Sequence, residues 1–172
     1  MTDINQDVVA TGGLVHTIDA VLQIPTEGIR AAALRNLSYF IEIANQGNFF
    51  SVTDRPLIDS LRTKPDTTLF LPNSAKALAN ILSSPTFANA TLRGYMGQYT
   101  HYSKLVFSTD FVDGALVMTD AGVPVVITVL EGEVYINNAK VLERDVLMAN
   151  GVFHVIDEYV LVSTPRYKLS QY

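Results

Sequence analysis

The sequence predicts an α+β domain, and three observations carry that prediction. Apolar residues recur at helical spacing through much of the first hundred positions. After His101 the pattern changes to short β-branched and apolar runs separated by turn residues. Asp7-Val-Val-Ala-Thr-Gly-Gly-Leu-Val-His-Thr-Ile-Asp19 returns as Asp145-Val-Leu-Met-Ala-Asn-Gly-Val-Phe-His-Val-Ile-Asp157, ungapped at an offset of 138 residues. A period that long is a whole domain. Residues 1–25 are therefore expected to be the C-terminal strand segment of an upstream domain, residues 26–163 a complete domain, and residues 164–172 a tail.

Residues 7–25 read as a turn at Gly12-Gly13 and a strand from Leu14 to Ile24, closed by Pro25. Ala33, Leu34, Leu37, Phe40, Ile41 and Ala44 then recur at threes and fours, which predicts one amphipathic helix over Thr26 to Asn45. Thr26 is its expected N-cap, with Glu27 in the first turn, and Gly47 its stop. Leu57 to Leu61 is a brief apolar stretch. Thr68 to Leu71 reads as a buried strand, with Pro72-Asn73-Ser74 leading into a helix through Leu82. Ser84-Pro85 opens another helix, with Phe87, Leu92, Tyr95, Met96 and Tyr99 on its apolar face. Strands are expected at 104–108, 115–119, 124–130, 133–136, 140–142 and 153–161. Glu131-Gly132 and Asn137-Asn138 supply turns between them.

Composition narrows the function classes. An apolar fraction of 48% excludes a disordered chain, and the net charge of −5 leaves no basic footprint for nucleic acid. Without cysteine there are no thiolate metal sites, iron–sulfur clusters, cysteine nucleophiles or disulfides. The three His stand at no metal-ligand spacing, and no phosphate loop or nucleophile elbow appears, so neither metal nor cofactor is expected. No apolar run approaches the ~18 residues of a membrane span. Asn36-Leu-Ser38 and Asn89-Ala-Thr91 are N-glycosylation sequons.

Three stretches together resemble the fasciclin domain of extracellular adhesion proteins. Thr68-Leu-Phe-Leu-Pro-Asn-Ser-Ala-Lys-Ala77 is similar to the family's first signature, and Tyr99-Thr-His-Tyr102 to its Tyr-His pair, with His101 one position late. Glu143 to Asp157 is close to its closing Asn-Gly-Val-x-His-x-Ile-Asp. The resemblance covers Thr26 to about Val162. It implies helices packed against a C-terminal, mostly antiparallel sheet, and a secreted or cell-surface protein without catalysis.

It also implies a partner, either a cell-surface receptor or a matrix or cell-wall component. In related matrix proteins receptor contact involves an Asp-Ile pair before the Asn-Gly turn, and the Tyr-His region. Those map onto Glu143, Asp145 and Val146, with Tyr99 and His101, and upstream onto Asp7 and Val8. An exposed Asp145 could meet a receptor-held cation. On the alternative reading Asp145 hydrogen-bonds the turn and Val146 packs in the core. Some fungal members act beside oxidases in pigment pathways, which raises a second function: binding an aromatic polyketide through Phe49, Phe50, Tyr95, Tyr99, Tyr102 and Phe107.

His154 and Asp157, repeated as His16 and Asp19, invite an acid/base reading. Residues three apart on a strand do not share a face, so His154 is expected to satisfy backbone groups at a strand edge. Asn150-Gly151 is expected to form a positive-φ turn before it. Leu14, Ile18, Val21 and Ile24 would remain uncovered unless residues 1–25 dock on the second domain or on another chain, which makes homotypic association an expectation.

Overall fold

The computed structural model describes residues 3–18, 24–47, 55–84, 101–102 and 104–160. The repeat at the N-terminus is a hairpin rather than a single strand. Strand β1 (Asp3–Ala10) turns at Thr11-Gly12 into β2 (Gly13–Ile18), and the two form a sheet of their own.

The expected long helix is two: α1 (Gly28–Leu34) and α2 (Ser38–Gln46). The break lies at Asn36, whose φ of +54° places it in the left-handed region that Asn tolerates. The Leu37 amide reaches back to the Ala32 carbonyl and the Asn36 amide to Ala33, the paired bonds of a Schellman stop. Apolar periodicity runs on across the stop because Leu37 and Phe40 are buried on the same side as Ala32. Glu27, not Thr26, occupies the N-cap, without a side-chain cap, while the Thr26 carbonyl accepts from the Ala149 amide at 2.8 Å. Gly47 is the C-cap of α2, as expected.

The stretch around Leu57 belongs to a helix, α3 (Arg55–Arg62). It leads to β3 (Thr67–Pro72), buried along its whole length, and then to α4 (Ala75–Ser83). Ser74 caps α4 by accepting from the Ala77 amide at 2.9 Å, the role its position predicts. The helix expected from Ser84-Pro85, with Asn89 and Tyr99, lies outside the described residues.

Strand β4 (His101–Tyr102) pairs with β3. Then come β5 (Leu116–Met118), β6 (Pro124–Leu130), β7 (Glu133–Ile136), β8 (Ala139–Met148) and β9 (Gly151–Ile156). The sheet order is β4-β3-β9-β8-β7-β6-β5, antiparallel except where β3 runs parallel to β9. The 124–130 and 133–136 strands lie where the sequence placed them. Glu131 and Gly132 both have positive φ, +53° and +82°, as a two-residue hairpin turn of type I′ requires.

No ladder strand forms over 104–108; a 3₁₀ turn (Ser108–Asp110) follows instead. Side chains occupy backbone groups of that segment that a ladder would have paired. Thr68 Oγ1 donates to the Lys104 carbonyl at 2.7 Å and accepts from the Val106 amide at 2.8 Å. Strand β8 is longer than the expected 140–142, and β9 is shifted from the expected 153–161.

Alternation along β3 and β9 divides the interior. Leu69, Leu71, Phe153 and Val155 join Ala32, Phe40, Ile43, Leu61 and Ile81 in a helix-side core. Phe70 and Ile156 join Val125, Ile127, Ile136 and Val141 in a second core on the opposite face. A sheet covered on both faces explains why its central strands read as unbroken apolar runs.

Candidate functional site

The duplicated motif forms the β8–β9 hairpin that closes the sheet. Strand β8 carries two irregularities against β9, between Val141 and Glu143 and between Glu143 and Val146. At the second, three steps along β8 oppose two along β9, so one extra residue bulges out. Asp145 lies in that bulge with φ +57°. Its amide donates to His154 Nδ1 at 3.2 Å.

That contact fixes the imidazole. A backbone N–H can only donate, so Nδ1 carries no proton, and Nε2–H donates to the Val106 carbonyl at 2.9 Å. The ring is fully buried, stacked on Phe70 with centroids 5.3 Å apart and tilted against Phe111 at 4.9 Å. Burial holds its pKa below the ordinary 6.5, opposed by the Val106 hydrogen bond and the Asp145 charge and reinforced by Arg144. His154 thus satisfies backbone groups as expected. It does so from β9 in the middle of the sheet, flanked by β3 and β8, not from an edge.

The Asp145 carboxylate accepts from the Ser108 amide at 2.8 Å and from the Ser108 hydroxyl. It anchors the 3₁₀ turn rather than the Ala149-Asn150 turn. Asp157 clips the other end of the hairpin, accepting from the Lys140 amide at 2.7 Å. Neither the Ala149-Asn150 turn nor Gly151 uses positive φ. Gly151 is required by close approach instead, since a Cβ there would stand 1.9 Å from the Thr67 carbonyl oxygen. Asn150 ties the turn to the helix layer, its Nδ2 donating to the Ser60 carbonyl at 2.7 Å and the Lys64 carbonyl at 2.6 Å. The polar contacts of His154, Asp145 and Asp157 go to structural partners. Among the described residues no group of His, Asp and Glu is placed to hold a metal ion.

The outer side of the hairpin is different. Val146 is buried, but Leu142 and Leu147 are exposed, and Glu143 pairs with Arg35 at the surface. A cleft of about 310 Å³ runs between β8 and the end of α1, lined by Ile24, Leu34, Arg35, Asp145, Val146 and Leu147. Its rim is apolar and open, with Ile24 89%, Leu34 68% and Leu147 54% exposed. Of the proposed adhesion residues, Asp145 and Val146 line this cleft, and Glu143 is tied to it through its pair with Arg35. Tyr99 lies outside the described residues; His101 is placed by backbone pairing with Leu69 at the far end of the sheet. The sequence reading missed Arg35, Leu34 and Leu147, which no motif marks; they come together only because α1 stops at Asn36. Leu14 and Ile24 are exposed; Ile18 has only its backbone described, and Val21 and Asp19 lie outside the described residues.

A larger groove of about 740 Å³ lies between Lys104–Val106 and β5, and none of its lining residues is aromatic. Phe49, Phe50, Tyr95 and Tyr99 lie outside the described residues. Among the described residues no helix is long and apolar enough to cross a membrane.

The chain is 29% identical over 161 residues to a fasciclin-like arabinogalactan protein of Arthroderma benhamiae, covering 91% of this chain and 35% of that protein. It is 24% identical over 167 residues to the fasciclin-like arabinogalactan protein CTB11 of Cercospora beticola, covering 92% of this chain and 40% of that protein. It thus spans well under half the length of both fungal relatives. Among solved structures it is similar to a FAS1 domain pair from the insect cell adhesion molecule fasciclin I. There the TM-score is 0.58 at 22% identity, over 92% of this chain and 59% of that one. The Fasciclin domain family model matches residues 47–162, which takes in β3, the buried His154 and the closing hairpin, so the chain belongs to the fasciclin-domain family.

Proposed function

We propose that this chain is a non-enzymatic, extracellular domain for cell adhesion or for association with matrix or cell wall, the second of a tandem pair of fasciclin domains. The open cleft beside β8 carries the reading. Three exposed aliphatic side chains rim it around the Arg35–Glu143 pair, a surface suited to holding a partner by burial and a charged contact. The partner is a cell-surface receptor or a matrix or cell-wall component. Val146 acts by shaping the cleft floor, and Asp145 by holding the bulge that presents Leu147. Glycans on Asn36, exposed at the α1–α2 turn, and on Asn89 accord with secretion.

The test replaces exposed residues that the core does not need. Leu147→Asp with Glu143→Arg is expected to lower attachment to cells or to an isolated wall fraction by about tenfold or more with thermal stability retained. Attachment unchanged in the folded double variant would refute the site. The intact mass of the native secreted polypeptide tests the tandem order.

A further inference from the structure

The hairpin β1–β2 repeats β8–β9 in backbone register as well as in sequence. Val8↔Val15, Val9↔Leu14 and Ala10↔Gly13 stand where Val146↔Phe153, Leu147↔Val152 and Met148↔Gly151 stand. Asn5↔Thr17 and Asp3↔Ile18 likewise match Glu143↔Val155 and Val141↔Ile156, so both irregularities recur at the same steps. Asp7 and His16 occupy the positions whose counterparts, Asp145 and His154, settle the bulge.

What differs is the covering. Val152 and Phe153 are fully buried, whereas Leu14 is 59% and Val15 51% exposed. At the outward position the two hairpins agree, with Leu147 54% and Val9 80% exposed. Among the residues whose exposure is described, Leu14 and Val15 therefore lack the cover that a domain body gives their counterparts Val152 and Phe153. Gly151 leaves room for the Thr67 carbonyl, but nothing lies within 4 Å of the Cβ position of Gly13. A two-stranded ribbon is marginal in water by itself.

We propose that β1–β2 is the closing hairpin of a second fasciclin body, and that β2 docks there by parallel pairing with that body's counterpart of β3. This rests on the tandem reading above. The β3–β9 pairing within this chain is the template: Thr67↔Gly151 through Pro72↔Ile156 becomes a Thr-type strand running alongside Gly13 to Ile18. Docking would cover Leu14 and Val15 and fill the space at Gly13.

The test supplies that body. Residues 26–140 are joined directly to Asp3 of the full chain, so that residues 3–18 follow them as residues 141–156 do in the parent domain. A second fusion carries residues 141–156 in place of 3–18 and reports the fully closed body. The expected result is a second cooperatively folded unit, with amide exchange over residues 13–18 slowed by about a hundredfold or more relative to the unfused chain. Gly13→Val in the fusion is expected to abolish that protection. An added body that stays unfolded with residues 3–18 while folding with 141–156 overturns the proposal. So does protection that survives Gly13→Val, or that the unfused chain acquires with rising concentration by pairing its hairpin with another copy's. A native polypeptide longer by one fasciclin domain, together with a failed fusion, removes the docking and leaves the tandem order standing.

Discussion

Replacing His154 by Phe separates the two things the imidazole does. Phe keeps a planar ring between Phe70 and Phe111 but offers nothing to the Asp145 amide or the Val106 carbonyl. A buried polar group left unpaired costs about 1–3 kcal/mol, so the two together amount to about 2–6 kcal/mol. His154→Ala adds a cavity in a fully buried site, for a further loss of about 2–5 kcal/mol. Against a typical stability of about 5–15 kcal/mol, the Ala variant is close to unfolding while the Phe variant remains measurable. Urea denaturation reads the difference as a fall in midpoint of about 1–3 M for Phe, at a slope of about 2 kcal/mol per M. The same titration carries a pH signature. With its folded pKa held below the ordinary 6.5 by burial, His154 contributes stability that is complete above the unfolded value and is lost as pH falls through the folded one. The difference between wild type and His154→Phe should therefore narrow on acidification. A Phe variant within about 0.5 kcal/mol of wild type at neutral pH, or a difference that does not narrow, would refute the tautomer and the bonding assigned to the ring.

Three further outcomes follow from other contacts. Gly151→Ala forces a Cβ against the Thr67 backbone and is expected to cost about 3 kcal/mol or more. Gly12→Ala, with nothing within 4 Å, should stay within about 0.5 kcal/mol, and comparable losses at both positions would show that approach distance is not the cause. Ser74→Ala removes the cap of α4 and a hydroxyl bonded to the Asp157 carbonyl at 2.5 Å, for a thermal-stability loss of about 1–2 kcal/mol, and an unchanged melting temperature would refute the cap. Asn36→Gly should be near neutral and Asn36→Val costly by about 1–2 kcal/mol in protein made without glycans; equal effects would contradict the left-handed stop.

The sequence made the α+β layout legible because its strongest signals were period and punctuation. The strands at 124–130 and 133–136 are bounded by Glu131-Gly132 and Asn137-Asn138, and Ser74 stands three residues before an amide that needs an acceptor. Errors arose where tertiary contacts override those signals. Apolar spacing continued across Asn36 because both helices bury the same side. Residues 104–108 have strand composition but give carbonyls and amides to Thr68, His154 and Asp145, which are 36 to 48 positions away in sequence. Gly151 invited a turn explanation because positive φ is visible from residue type and close approach is not. At the site, Asp145 and His154 were legible as a pair through the repeat. The cleft that Arg35, Leu34 and Leu147 share depends on how a helix end meets a strand, which no local pattern encodes.

The parallel pairing of β3 with β9 also governs the order in which the domain can be made. Its partners lie 84 positions apart, and the strand that completes the middle of the sheet is synthesised after every other described strand. Until it arrives, β3 has an open edge and two apolar faces, with Leu69 and Leu71 on one and Phe70 on the other. Non-local closure of this kind makes folding slow and leaves a nascent chain exposed to association with its neighbours. Variants in the β8–β9 hairpin should for that reason reduce the yield of folded protein more than the equilibrium stability of the purified domain suggests.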